Sequence, residues 1–302
     1  QIISASFPEE IAAVSGISFC AQMQGLVLID ASLKPLRPAM SYLDQRADRE
    51  WKDGIGSGIK IEGLNARKLL TGLSIHGAAA ASIKDPVWKY HWVRNNEPEI
   101  FARIHKWLDV KDYLIARASG ACTMTRDSAF ATFLTGEHKG KLEWNRRLLA
   151  LYGVHREHLP EIISSTAIAG QLSADAAEEL GLAKGIPVFG GGGDVSMIAV
   201  GSGATEQGDC HIYTGTSGWV SCAVRKRKTD IAARIASITG AQEDRYNFFA
   251  EQETAGKCLE WVRDHLAKDE IDLYLDKQSV VDTPESNFNS MYDFLIHSIG
   301  EV

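Results

Sequence analysis

The sequence predicts an α/β fold, and three observations carry that expectation. Short apolar runs bounded by turn residues, at 26–29, 186–189, 211–213, 219–224 and 246–250, have the length of strands. Between them lie segments with apolar residues at helical spacing, at 86–95, 98–108, 111–118, 142–151 and 174–180. With 45% hydrophobic residues in 302, the chain can also bury a substantial core.

The elements follow in order. Over 11–43 the pattern is strand-like: Val14, Ile17 and Phe19 lead to Gln24, 26–29 follows, Asp30-Ala31-Ser32 turns the chain, and Leu36 to Tyr42 returns as the arm of a hairpin. Residues 44–153 read as helix-rich and are interrupted by Gly54, Gly56 and Gly58. A helix over 174–180 stops at Gly181. The strand at 186–189 tolerates Pro187 at its start and runs into Gly190-Gly191-Gly192-Gly193-Asp194, after which 195–200 is helical. Beyond Gly201 the pattern changes to short strands and a helix over 255–266, which places a domain boundary near Gly208. The first domain is therefore expected at 1–208 and the second at 209–302. A helix from Met291 breaks at Gly300, and residues 1–7 read as the tail of a preceding element, so the chain is expected to be an internal piece of a longer protein.

Composition removes several functions. Lys and Arg total 32 against 39 Asp and Glu, and a formal charge of −7 speaks against nucleic acid or an anionic membrane as partner. No stretch is long and apolar enough for a membrane span, and no secretory leader opens the chain, so a cytoplasmic protein with a small-molecule ligand is expected. Five cysteines without a C-x-x-C pair suggest reduced thiols that fill the core. Nine histidines show no metal spacing; His155 and His158 read as a solvated helix end, and no metal ligand is assigned. The basic run Arg225-Lys226-Arg227-Lys228 reads as a solvated hairpin tip, and Trp88 and Trp92 as core. Neither G-x-x-x-x-G-K-[ST] nor a valid G-x-G-x-x-G occurs, which argues against a Walker-type ATPase and a Rossmann dehydrogenase.

Three clusters could carry chemistry. Four glycines before Asp194 permit close approach to backbone N–H groups at a helix start, and a carboxylate there could accept a proton from a bound hydroxyl; read alone, Asp194 is first an N-cap. Tyr213-Thr214-Gly215-Thr216-Ser217-Gly218-Trp219 could form a nest for phosphate oxygens or an ordinary hairpin turn. Gln22-Met23-Gln24, with Tyr42, Asp44 and Arg46, sets long amides beside an aromatic ring, as a polyol requires; Asp44 could instead cap a helix and pair with Arg46 or Arg49.

In this order and spacing the clusters resemble the FGGY carbohydrate kinases. Gln22-Met23-Gln24-Gly25 is similar to that family's Q-M-H-G sugar-contacting turn, and Tyr42-Leu43-Asp44-Gln45-Arg46-Ala47 to its W-x-D-Q-R-A. Pro86 to Asn96, Glu97-Pro98-Glu99-Ile100-Phe101, Asp112-Tyr113-Leu114 and Asp127-Ser128-Ala129 continue in register. Gly190 to Asp194 resembles the loop that carries the catalytic base, and Gly215-Thr216-Ser217-Gly218 the loop that meets ATP phosphates. The resemblance implies an actin-like ATPase (ribonuclease H-like) fold, its first domain nearly complete and its second partial. It implies ATP and Mg²⁺ as cofactors, Asp194 as general base, and Gln22, Met23, Gln24, Tyr42, Asp194 and Val195 as the sugar contacts. Gly215, Thr216 and Ser217 would meet the phosphates, a sugar is the small-molecule partner, and a homodimer is admitted.

Three departures bear on the sugar: Gln24 replaces the usual His, Val195 follows Asp194 where Asn or Gln is common, and Tyr42 stands for Trp. A ketopentose such as xylulose remains the expected substrate, with a non-catalytic sugar binder as the alternative. The family's leading D-x-G-T-[ST] hairpin and its terminal adenosine loop do not occur in the 302 residues, so the chain alone is expected to show no turnover.

Overall fold

The computed structural model describes residues 6–138, 140–230, 233, 235–252, 254–269, 271–272, 275 and 290–300. Its elements are mixed α and β, as expected, and most strands are short. Pro8–Ala12 is a helix, not the strand expected from residue 11, because Pro8 opens its first turn and Glu9 and Glu10 follow at the positive end of the dipole. A bridge from Ile17 to Val188 leads into the strand Cys20–Ala21, which pairs in parallel with Gly192–Gly193. The wholly buried strand Val27–Ile29 pairs antiparallel with Lys106–Leu108. The expected hairpin follows it: the Asp30 carboxylate accepts the N–H groups of Ser32 and Lys34, and bridges join Ile29 to Pro35 and Leu26 to Met40.

Two expected helices are shorter than their periodicity implied. In 98–108 only Pro98–Phe101 is helical, and Lys106–Leu108 is a strand with Trp107 and Leu108 buried against Val27 and Leu28. In 142–151 the first residues alternate, with Leu142 buried in a strand Lys141–Trp144 that pairs with Thr135–His138. Asn145 then caps the helix Arg146–Tyr152 by accepting from the N–H groups of Arg147 and Leu148. The helix Ala174–Leu180 matches its expected bounds, with Ser173 as N-cap and Gly181 left-handed at its C-terminus. The helix Pro86–Asn96 buries Pro86, Val87, Trp88, Lys89, Tyr90 and Val93, more of its circumference than an amphipathic segment would. It runs through the main core, where Tyr90 stacks on Trp107 and Trp88 meets Tyr152 edge-on. Trp92 lies at the margin of that core, with Arg37 and Arg46 over its ring.

Other expectations need correction. Cys20, Cys210 and Cys258 are exposed and Cys122 and Cys222 half-buried, so the cysteines do not fill the core; none is in a disulfide. Arg227 does not sit on a solvated tip, because its guanidinium packs over Phe130 and against Gly77. His158 is buried rather than solvated, its Nδ1 bonded to the Tyr90 hydroxyl at 2.9 Å. Residues 1–5 and 301–302, part of the expected terminal elements, lie outside the described residues.

The chain forms two units, Gln1–Asp209 with Cys222–Phe248, and Cys210–Ser221 with Phe249–Val302. Beyond residue 209 the chain forms the strands Cys210–Thr214, Gly218–Val224, Thr229–Asp230, Ile235–Thr239 and Tyr246–Gln252. The strand Ile235–Thr239 has no counterpart in the sequence reading. In the first unit the Tyr246 hydroxyl donates to Glu137 Oε2 and Arg126 to the Glu243 carbonyl. In the second, Tyr213 stacks on Trp219, whose indole N–H donates to His211 Nε2 at 3.1 Å. No described helix is long and apolar enough to cross a membrane.

Candidate active site

The site is built on one parallel pairing. Cys20 lies opposite Gly192 and Ala21 opposite Gly193, so both segments leave the pair at their C-terminal ends, one into Gln22-Met23-Gln24 and the other into Asp194. The two chains approach closely there. A Cβ on Gly193 would lie 2.2 Å from Met23 Cγ, and one on Gly191, whose φ is +64°, would lie 2.1 Å from the Phe19 carbonyl oxygen. The glycine run therefore makes room for the protein's own backbone and for Met23. Its amides are also engaged, with Gly190 donating to Ala167, Gly191 to Ser165, Gly192 to Phe19, and Gly193 to Asp127 Oδ2 at 2.8 Å.

Asp194 is the first residue of the helix Asp194–Gly201, with Gly193 rather than Asp194 at the cap position. It is half-buried, and its Oδ1 accepts the Val195 N–H at 2.9 Å. Burial pushes its carboxyl above the ordinary value; N–H bonds oppose this and the charge of Asp127 adds to it. Cys20 lies in the same field, its thiol pushed up by burial and by Asp194 and Asp127.

The Gln22-Met23-Gln24 turn is held from below by buried charges. Gln24 has a φ of 62°, unusual for a residue with a side chain. Its N–H and that of Gly25 donate to the two oxygens of Asp109 at 3.0 and 2.9 Å. The Gln24 carbonyl accepts from Lys89 Nζ at 3.0 Å, and the same ammonium donates to the Ser41 carbonyl at 2.6 Å. Lys89 thus ties the turn to the segment that bears Tyr42, which is 43% exposed. The Gln24 side-chain amide donates to Asp85 Oδ1 at 3.5 Å. Burial raises Asp85 to about 7, and burial with the neighbouring Asp112 raises Asp109 to about 7. Burial lowers Lys89 to about 8, against the pull of Asp44, Asp85 and Asp109. Asp44 does not cap a helix: burial pushes its carboxyl up, but its bonds with Arg46 hold it below the ordinary range.

Gln22, Met23, Gln24, Asp194 and Val195 are thereby brought to one end of the strand pair, and Tyr42 is linked to them through Lys89. The supporting residues Asp85, Lys89, Asp109 and Asp127 have no role in the sequence reading. Lys89 and Asp127 lie in segments that continue the family-like register, and Lys89 also stands out as a charge between Trp88 and Tyr90.

The second unit holds Gly215, Thr216 and Ser217 in a tight turn, where the Gly215 N–H donates to the Ser217 carbonyl. The carbonyls of Gly215 and Thr216 accept from Gly256 and Ala255, which anchors the turn to the start of the helix Gly256–His265. A Cβ on Gly215 would meet the Tyr213 hydroxyl at 2.3 Å and one on Gly218 the Ala255 Cβ at 2.8 Å, so both glycines make room for the protein's own side chains. Thr216 is exposed. Elsewhere His155, Glu157 and His158 have donor atoms within 4.8 Å of one another, but Glu157 pairs with His155 and Tyr90 with His158.

Residues 2–201 match the sequence model of the "FGGY family of carbohydrate kinases, N-terminal domain". A gluconokinase of Bacillus subtilis (strain 168) is 28% identical over 261 residues, 86% of this chain and 48% of the relative. A xylulose kinase of Staphylococcus xylosus is 28% identical over 258 residues, 85% of this chain and 51% of the relative. Among solved structures, a "xyloylose kinase" from Brucella ovis superposes with a TM-score of 0.78 at 26% identity, over 94% of this chain and 55% of the other. The chain spans about half the length of the curated relatives it matches.

Proposed function

The chain belongs to the FGGY family of carbohydrate kinases and has its actin-like ATPase fold, and from that premise we propose that it phosphorylates a sugar hydroxyl at the expense of ATP. The acceptor is a ketopentose such as xylulose, residues 1–208 form the sugar-binding domain, and residues 209–302 begin the nucleotide-binding one. The observation that carries this reading is the parallel pairing of Cys20–Ala21 with Gly192–Gly193, which delivers a polar turn and a carboxylate to the same edge.

In this reading the sugar lies on Met23 and Tyr42, and Gln22, Gln24 and Asp194 bind its hydroxyls. Val195 offers an apolar side chain and its N–H fixes Asp194. Asp194 orients the attacking hydroxyl and takes its proton as the hydroxyl oxygen bonds to the γ-phosphorus of ATP and the bond from that phosphorus to the bridging oxygen breaks, releasing ADP. Phosphoryl transfer passes through a loose transition state, so positioning matters more than basicity, and a carboxylate only moderately raised by burial is adequate. In the same reading the turn at Gly215–Gly218 meets the phosphates, with the Thr216 and Ser217 hydroxyls as donors. ATP supplies the electrophilic phosphoryl group there and Mg²⁺ neutralises its charge; no ligand of the ion is assigned in this chain.

The test is coupled ADP release with ATP, Mg²⁺ and a panel of ketoses, polyols and aldonates, alongside calorimetric sugar binding. One ketopentose should bind to the 302-residue chain, and the protein that turns it over should lose activity with Asp194→Ala. Activity that survives the substitution overturns the assignment of the base. Sugar binding with no phosphorylated product, under all conditions including restored flanking segments, would establish the non-catalytic binder instead.

A further inference from the structure

The Gly190–Gly193 run has no side chains with which to fix its own position, yet the residue after it must be placed to within a fraction of an ångström for proton transfer. One side chain takes on that task. Asp127, wholly buried, accepts the Gly193 N–H on Oδ2 at 2.8 Å across 66 residues of sequence. Its Oδ1 accepts the Ser128 N–H at 2.9 Å and the Thr125 hydroxyl at 2.5 Å. The carboxylate is thus clamped by its own strand-helix junction, Thr123–Thr125 into Arg126–Phe130, and offers its remaining oxygen to the glycine run. On its other side Gly193 is stopped by Met23, so the backbone just before Asp194 is fixed between a hydrogen bond and a steric contact.

We propose that Asp127 is the positioning residue of the site: by holding the Gly193 amide it sets the depth and direction of the Asp194 carboxylate. This rests on the reading of Asp194 as the base, but the device itself can be measured without catalysis. The charge on Asp127 also acts on Asp194, which ties the proposal to a titration that a purely structural carboxylate elsewhere would leave alone.

The experiment uses the 302-residue chain, isotopically labelled, and its Asp127→Asn variant. Asparagine has the same shape but one acceptor fewer, so either the Gly193 or the Ser128 N–H faces an amide NH₂. The Asp194 carboxyl, assigned through Asp194→Asn, should titrate at lower pH in Asp127→Asn, and the Gly193 amide should exchange with solvent at least about tenfold faster than in the parent chain. An unchanged Asp194 midpoint with unchanged Gly193 exchange overturns the proposal, even if the variant melts earlier. Should Asp127→Asn fail to fold, the parent chain still decides the matter: a scalar coupling between the Gly193 nitrogen and Asp127 Cγ is expected, and its absence refutes the bond. In protein that turns over sugar, Asp127→Asn should lower kcat at least about tenfold with KM for sugar within about threefold. Absence of turnover in the parent bears on the kinase reading alone, and the titration and exchange still stand or fall by themselves.

Discussion

At the scale of the single residue, the structure separates side chains that could meet a ligand from those that hold them. Gln24 is held in the left-handed region by Asp109 and Lys89, and its own amide makes only a long bond to Asp85. Gln24→Gly should therefore change stability by no more than about 1 kcal/mol, since glycine relieves the positive φ, while sugar binding measured by calorimetry falls sharply. Lys89→Met is expected to cost stability as well, because Lys89 supports the turn from beneath. It leaves two carbonyls without their donor and Asp85 without its nearby cation, and should cost roughly 3–5 kcal/mol in urea unfolding. A loss below about 1 kcal/mol would show that Lys89 does not hold the turn together. Lys89 was visible in the sequence as a charge between two aromatics within a family-like segment, but its role was not; its partners Gln24 and Ser41 are 65 and 48 residues away, and no local pattern encodes such a bond.

At the scale of the element, local signals succeeded where both ends of a segment were marked. Ser173 and Gly181 bracket Ala174–Leu180, and the helix has those bounds. Ser173→Ala should cost about 1 kcal/mol in thermal or urea unfolding and leave sugar binding unchanged, because its bond to the Ala176 N–H serves that helix alone. Asp109 shows the contrast. It caps the helix Val110–Ser119 by accepting from Val110, and also takes the N–H groups of Gln24 and Gly25. Asp109→Ala should lower both stability, by roughly 2–4 kcal/mol, and sugar affinity. Unchanged affinity in a folded variant would uncouple cap from turn. The helix expected over 98–108 failed for a related reason: Trp107 and Leu108 fit helical spacing, but the long-range partner Val27–Ile29 drew them into a strand.

At the scale of the whole molecule, buried carboxyls make stability depend on pH. Asp85 and Asp109 are raised from 3.8 to about 7 and Asp112 to about 6, chiefly by burial. Their folded state keeps protons the unfolded chain has lost, so this contribution is complete below the unfolded value and is lost as pH rises through 6 to 7. His76 acts in the opposite sense. Burial lowers it from 6.5 to about 3, so its contribution is complete above 6.5 and is lost as pH falls. His91, His158 and His211 are also lowered by burial and act in the same sense as His76, so the carboxyl contribution is read by difference: between about pH 5 and pH 7.5 the urea midpoint of the parent chain should fall more, or rise less, with pH than that of Asp85→Asn. The same pH dependence in parent and variant would contradict the raised Asp85 carboxyl.

By itself the sequence determined the α/β class, the strand-to-helix junction at Asp194, the hairpin after Val27–Ile29 and the order of the three candidate clusters. Each of these is encoded by neighbours: apolar runs of strand length, glycine and proline at turns, and residue types at fixed spacing. Only the tertiary structure decided that Cys20–Ala21 lies beside Gly192–Gly193, that the glycine amides are engaged within the protein, and that Asp85, Lys89, Asp109 and Asp127 stand beneath the site. Those residues are charges removed from water. A buried charge is tolerated only when a specific partner meets it, and the partners come from segments that folding alone brings together.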